Sequence, residues 1–244
     1  MQFVLGARGE TGAAHLHAQE WTVPGKAMQH LAPAIEHALC RLGASPEAVT
    51  AVACVRGPGS FTGLRLTLAT AIGLSRALGI PLAGMDYLPL LAAAPAATCS
   101  GGSLWVLTHA RREQVYVQGF VPAPDSLMPE SMGPAQSAHL SELPGLLAQA
   151  PLPTRLLGSG VRRNLAGLNA LLAGPDAPLV LPPHLDHPAP SLLLACAASL
   201  PLSLEPIEPL YIRASDAEEN LADIARGRGL SLDQARHILD SSTD

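Results

Sequence analysis

Residues 52–79 read VACVRGPGSFTGLRLTLATAIGLSRALG: an apolar run, a glycine-proline-glycine turn, then an uninterrupted helical pattern. That order dictates a strand, a sharp reversal and a helix. Val49 to Val55 is rich in β-branched residues and alanine, which suits a buried strand. Gly57, Pro58 and Gly59 stop it and permit backbone angles that a Cβ forbids. Ser60 or Thr62 can cap the next helix by accepting a hydrogen bond from one of its orphan amides. Leu64, Ala71, Leu74 and Leu78 then recur at helical spacing, and a row of small residues, Ala69, Gly73 and Ala77, lets another helix come close. A glycine turn before a helix directs amides at an anion. This one lacks the lysine of GxxxxGK[ST] and the spacing of GxGxxG, so a plain tight connection is the expected role.

The chain has 244 residues, 48% of them hydrophobic and only 3% aromatic, enough for a substantial helix-rich core with few rings to stack on bases. A net charge of −5 argues against a dedicated nucleic-acid binder, so any RNA contact must be local. Lys26 is the sole lysine, and the arginines include two adjacent pairs, Arg111-Arg112 and Arg162-Arg163, which suit phosphate but are expected to be solvated surface. Cys40, Cys54, Cys99 and Cys196 form no CxxC, as in a reducing compartment. No apolar stretch reaches the ~18 to 20 residues of a membrane span and no signal peptide opens the chain, so a soluble cytoplasmic protein is expected.

Patterning divides the chain into residues 1–95, residues 103–213 and a polar tail over 214–244. In the first part Gln2 to Leu5 and Ala14 to Val23 read as a hairpin. A helix from Lys26 to Leu42 carries Met28, Leu31, Ile35, Ala38 and Leu42 on one face. The strand-turn-helix follows, then a strand over Pro81 to Met85 and a short helix near Leu88; Ala94 to Gly102 reads as a boundary. The second part opens with the hairpin SLWVLTHARREQVYVQGF. A helix over Ser137 to Ala150, a strand over Thr154 to Leu157, a helix from GSGVRRN to Ala173 and a helix over Ser191 to Leu200 follow. Strand, glycine turn and helix thus occur once per half. The tail reads as two helices, 217–226 and 231–240, with Ser231 and Gln234 as a capping box.

Candidate chemistry is sparse. His30 and His37 are seven apart rather than four, His15 and His17 lack an acidic neighbour, and His184, Asp186 and His187 sit in a proline-flanked loop, so no metal site is expected. GPGSF does not match the GxSxG serine elbow. Gly158-Ser159-Gly160 before Arg162-Arg163 can hold a phosphate, although a plain loop is the expected role. No catalytic residue and no cofactor are assigned.

GPGSFTGLR with its flanks VACVR and LSRALGIPLAG resembles the bacterial TsaB family, the YeaZ-like proteins. GKAMQHLAPAIEHAL resembles the family's first helix, VLTHARREQVYVQGF its second-domain hairpin, and EPLYIR its late Pro-x-Tyr-x-Arg. The resemblance implies an α/β chain with an actin-like ATPase (ASKHA, RNase H-like) fold in two subdomains. It also implies a non-catalytic scaffold that binds and activates a TsaD-like catalytic subunit in threonylcarbamoyladenosine modification of tRNA. A TsaE-like ATPase would complete the assembly, tRNA would be met only through the complex, and the chain alone would pair as a homodimer. A peptidase and a small nucleotide-binding kinase-like protein remain the alternatives.

Two departures stand out. Nothing like the family's ILAIDT strand precedes Gln2, so the chain is expected to begin at the family's second strand. His109-Ala110-Arg111 stands where the family has Asp-Ala-Arg, which weakens any nucleotide role. The resemblance marks Gly57, Pro58, Gly59, Ser60, Phe61, Thr62, Gly63 and Arg65 as the motif loop. It marks Met28, Leu31, Ile35, Ala38, Leu64, Ala69, Gly73 and Ala77 as the partner interface, where two helices would pair with two of the catalytic subunit.

Overall fold

The computed structural model describes residues 1–9, 12–21, 27–123 and 125–213, together with positions 225, 231 and 234. The chain divides into two units, Met1–Leu210 and Tyr211–Asp244. In the first, strands β1 (Gln2–Gly9) and β2 (Gly12–Glu20) pair antiparallel as a two-stranded sheet, the hairpin expected, with a first arm that runs on to Gly9 and a second that starts at Gly12; residues 22–23 of the expected second arm lie outside the described residues. Helix α1 spans Ala27–Arg41. Strand β3 (Val52–Gly57) leads into α2 (Phe61–Leu78), and β4 (Leu82–Asp86) returns parallel to β3. Helix α3 runs over Tyr87–Ala97. The expected boundary at Ala94 therefore begins inside a helix, whose buried Leu90, Leu91, Ala92, Ala93 and Ala96 continue the apolar pattern through Pro95.

A six-stranded sheet forms the rest of the framework. Its centre is β5 (Ser103–Arg111) and β6 (Gln114–Val121), an antiparallel hairpin in register from Leu104↔Phe120 to His109↔Val115 and, after a shift between His109 and Arg111, paired again at Arg111↔Gln114. Leu104, Trp105, Val106 and Leu107 are all buried, because α3 covers one face of β5 and later helices the other. Short strands β7 (Glu130–Ser131) and β8 (Gln136–His139) both pair with β6. The helix expected over Ser137 to Ala150 is accordingly shorter. Residues 136–139 complete the sheet, His139 and Glu142 form a capping box, and α4 occupies Leu143–Leu147.

Strand β9 (Thr154–Leu157), where the sequence indicates a strand, lies parallel to β5, and β10 (Leu179–Val180) extends the sheet beyond it. The helix expected from GSGVRRN to Ala173 is broken into α5 (Ser159–Arg163) and α6 (Leu165–Leu168). Asn164 turns back at the break to donate its Nδ2 to the Gly160 carbonyl at 2.7 Å, the local competition that makes asparagine a helix interrupter. Leu107, Val115, Val117, Leu143, Leu156, Val161 and Leu168 join Trp105 in one core cluster, beneath α4, α5 and α6. Helix α7 (Pro190–Ser199) crosses back onto β1 and β2. Among the described residues no helix is long and apolar enough to cross a membrane. In the second unit, the Ser231 amide donates to Gln234 Oε1 at 2.9 Å and the Gln234 amide to Ser231 Oγ at 3.2 Å, the capping box expected there. The two tail helices otherwise lie outside the described residues.

Candidate functional site

The loop after β3 is built by packing demands. Gly57 has φ 138°, and a Cβ placed on it would sit 2.6 Å from the Leu210 carbonyl oxygen. That carbonyl belongs to a segment over residues 203–210 that straps the β3–β4 pair. The Ser203 amide donates to the Leu82 carbonyl at 3.0 Å, and the Leu210 amide to the Arg56 carbonyl at 2.8 Å. Between them Ile207 presses on Gly84, where a Cβ would come within 2.9 Å of its Cγ2. Glycine at 57 and at 84 is thus what allows the strap to close.

The parallel register sets Gly57 beside Asp86, so Arg56 and Asp86 meet at the ends of their strands. Arg56 Nε donates to Asp86 Oδ1 at 2.6 Å and Nη2 to Oδ2 at 3.3 Å. A cavity of about 260 Å³ opens beside this pair, lined by Pro58, Asp86, Leu88, Gln118 and Leu210. Of the two candidate caps of α2, Ser60 serves: its Oγ accepts the Gly63 amide at 3.2 Å. Gly63 is constrained by that cap, since a Cβ there would lie 2.6 Å from Ser60 Oγ. Gly79 ends the helix with φ 66°.

Helix α2 buries Leu64, Leu68, Ala71 and Ser75 against its own sheet. The opposite face carries Phe61, Arg65, Ala69, Gly73 and Ala77, four apart and all exposed, with Leu66 exposed alongside. The Arg65 guanidinium stands 4.0 Å over the Phe61 ring. Of the residues marked for a partner, then, Ala69, Gly73 and Ala77 face out. Leu31, Ala38 and Leu64 are buried within the chain and Ile35 is half-buried, because one face of each helix is consumed by its own packing. The Met28 side chain lies outside the described residues.

A second strand-glycine-helix junction forms where β9 meets α5. Asp186, 7% exposed, accepts the Gly158 amide at 2.7 Å, Arg162 Nε at 2.9 Å and Arg162 Nη2 at 3.3 Å. Arg162 also donates to the Leu181 carbonyl. Asp186 is therefore committed to holding the junction together rather than to a cation. Its neighbour His187 stands 3.5 Å from Glu20, and among the described residues no group of three His, Cys, Asp or Glu is gathered as for a metal ion. Ser159 Oγ accepts the His109 amide at 3.1 Å, tying α5 to the end of β5. Among the described residues His109 Nδ1 is buried without a hydrogen-bond partner, and burial, then the nearby Arg163 charge, holds the imidazole pKa below its usual 6.5. Burial likewise pushes the Cys54 thiol up to about 12.

The sequence did not single out Arg56–Asp86 or the role of Asp186. The first pair was accessible in principle, since each residue ends one of two strands that a crossover helix makes parallel. Asp186 reaches across 24 residues to Arg162 from a loop without periodic pattern.

Residues 23–132 match the family model described as TsaD, tRNA N6-adenosine threonylcarbamoyltransferase. An uncharacterized protein of Mycobacterium bovis is 32% identical over 191 residues, 78% of this chain and 76% of that protein. An uncharacterized protein of Mycobacterium leprae is 31% identical over 214 residues, 84% of this chain, which spans half the length of that relative. The tRNA threonylcarbamoyladenosine biosynthesis protein TsaB of Bacillus subtilis is 29% identical over 126 residues, 52% of this chain and 53% of that protein. Among solved structures, an uncharacterized Pseudomonas aeruginosa protein described as similar to peptidase YEAZ superposes with a TM-score of 0.63 at 23% identity, over 87% of this chain and 94% of that one. The fold is thus of the actin-like type, and the chain belongs to the TsaB/YeaZ-like family.

Proposed function

We propose that this chain is a non-catalytic scaffold that docks on a TsaD-type catalytic subunit and activates it in threonylcarbamoyladenosine modification of tRNA. The observation that carries the reading is the outer face of α2. Phe61, Arg65, Ala69, Gly73 and Ala77 form a continuous i, i+4 ridge, and a Cβ on Gly73 would meet nothing within 4 Å. Small residues along such a ridge let a second helix approach to about 8 Å rather than about 10 Å, with Phe61 and Leu66 supplying apolar area at one end. The relative named for threonylcarbamoyladenosine biosynthesis supports the choice of partner. Within this reading a TsaE-like ATPase joins the pair, tRNA is met inside the cytoplasmic complex, and the same ridge pairs two copies when the partner is absent.

The test is reconstitution. Full-length chain, its cognate TsaD-type subunit and a TsaE-like ATPase are combined with unmodified tRNA, and the modified nucleoside is quantified by mass spectrometry. Omitting this chain is expected to lower the yield at least tenfold. An unchanged yield, or hydrolysis of peptide or transfer of phosphate by this chain alone, contradicts the reading.

A further inference from the structure

The two arginine pairs are 51 residues apart in sequence, yet the fold brings them to one end of the six-stranded sheet. Arg111 and Arg112 end β5 and begin its hairpin turn, while Arg162 and Arg163 form the last turn of α5, which is seated on β5. The seating is tight: the Ser159 hydroxyl holds the His109 amide, and a Cβ on Gly160 would come within 2.9 Å of Leu107 backbone atoms. Arg163 is near enough to His109 for its charge to disfavour protonation of the imidazole.

The four guanidinium groups are not equivalent. Arg162 is consumed by Asp186, and Arg111 Nε donates to Gln114 Oε1 at 2.8 Å. Arg112 and Arg163 are exposed and, among the described residues, have no carboxylate partner. Glu113, the carboxylate in the same turn, lies 3.6 Å from His139 Nε2 instead. Exposed Arg112 and Arg163 thus place positive charge at this end of the sheet, with Glu113 in the same turn, on a chain whose net charge is −5. A guanidinium fork is matched to phosphate oxygens, and a surface built from arginines without aromatic rings contacts the backbone of a nucleic acid rather than stacking on its bases.

We infer that the β5–β6 hairpin turn and the last turn of α5 form a contact surface for the phosphate backbone of RNA, anchored by Arg112 and Arg163 with Arg111 beside them. The choice of RNA rests on the function proposed above, whereas the surface rests on the juxtaposition of the two pairs. It lies on different elements from the α2 ridge, so the two are separable by mutation.

The experiment measures binding of a fluorescent unmodified tRNA transcript to the full chain by anisotropy between 50 and 200 mM salt, for wild type and for the double variant R112E/R163E. Each phosphate contact contributes about 0.7 to 0.9 to the slope of log affinity against log salt. The variant is expected to bind at least tenfold more weakly at 50 mM salt with a slope lower by about 1.4 to 1.8, and R112K/R163K is expected to keep most of the affinity. Both side chains are exposed, so an unchanged melting temperature shows that the variant is folded. Equal affinity and slope for wild type and R112E/R163E, or no binding by wild type, overturns the inference. Competition by ATP at concentrations that leave poly-uridylate without effect assigns the surface to a mononucleotide and overturns it as well. Copurification of R112E/R163E with the TsaD-type subunit is expected to match wild type; loss of copurification by wild type itself strikes the proposed function and leaves the anisotropy result to decide the surface.

Discussion

Replacing Gly57 by alanine puts a methyl group where the strap over residues 203–210 crosses β3. The added carbon would stand 2.6 Å from the Leu210 carbonyl oxygen, and real Cβ atoms do not come closer than 3.0 Å. The strap must therefore retreat by several tenths of an ångström at its anchor, the 2.8 Å hydrogen bond from the Leu210 amide to Arg56. Weakening that bond costs about 1 kcal/mol. Holding an alanine at φ 138° costs about 1–3 kcal/mol more. The sum is about 2–4 kcal/mol, and at about 2–4 °C per kcal/mol for a chain of this size the melting temperature drops on the order of 5–15 °C. Differential scanning fluorimetry reads the drop, and hydrogen exchange reads faster exchange at the Leu210 amide. Gly73→Ala is the control: its Cβ meets nothing, and alanine in a helix is favoured over glycine by about 0.5–1 kcal/mol. Gly57→Ala melting within 2 °C of wild type, with Leu210 exchange unchanged, would refute the strap argument.

Three further outcomes follow from the same geometry. Asp186→Ala leaves the half-buried Arg162 and the Gly158 amide without their acceptor and is expected to cost about 3 kcal/mol in urea unfolding, part of which Arg162→Met restores in the double variant. His109 has a folded pKa below its usual 6.5, so as pH falls below that value the unfolded chain binds a proton that the folded chain resists. Stability is lost on the acid side, and the melting temperature between pH 7.5 and 5.5 is expected to fall less steeply for His109→Gln than for wild type. In the native protein iodoacetamide is expected to label exposed Cys40 and to spare buried Cys54 and Cys196, both of whose thiols burial pushes up, until the chain is unfolded.

Much of the framework was legible in local sequence. The β5–β6 hairpin, β9 and the capped start of α2 are written in period and punctuation, and these survive packing because their apolar runs are buried on both faces or adjoin glycine. The strand at 136–139 was not legible, since QSAH has no strand propensity of its own and is held by pairing with β6. Nor was the facing of α2. The sequence offers an apolar row and a small row, and only the sheet beneath decides that Leu64, Leu68 and Ala71 go in while Ala69, Gly73 and Ala77 stay out. Gly57 reads as a turn residue that permits backbone angles a Cβ forbids, whereas the carbonyl it also accommodates comes from Leu210, more than 150 residues along the chain, a contact no local pattern carries.

If the catalytic subunit docks on the outer ridge of α2, as proposed, Gly73→Glu places a charge at the centre of that contact. The site is exposed and open, so the variant is expected to keep the wild-type circular dichroism and to melt no lower than wild type. A charged side chain in the middle of a close helix contact is expected to abolish copurification with the TsaD-type subunit. A folded Gly73→Glu protein that still copurifies in wild-type yield would contradict the claim.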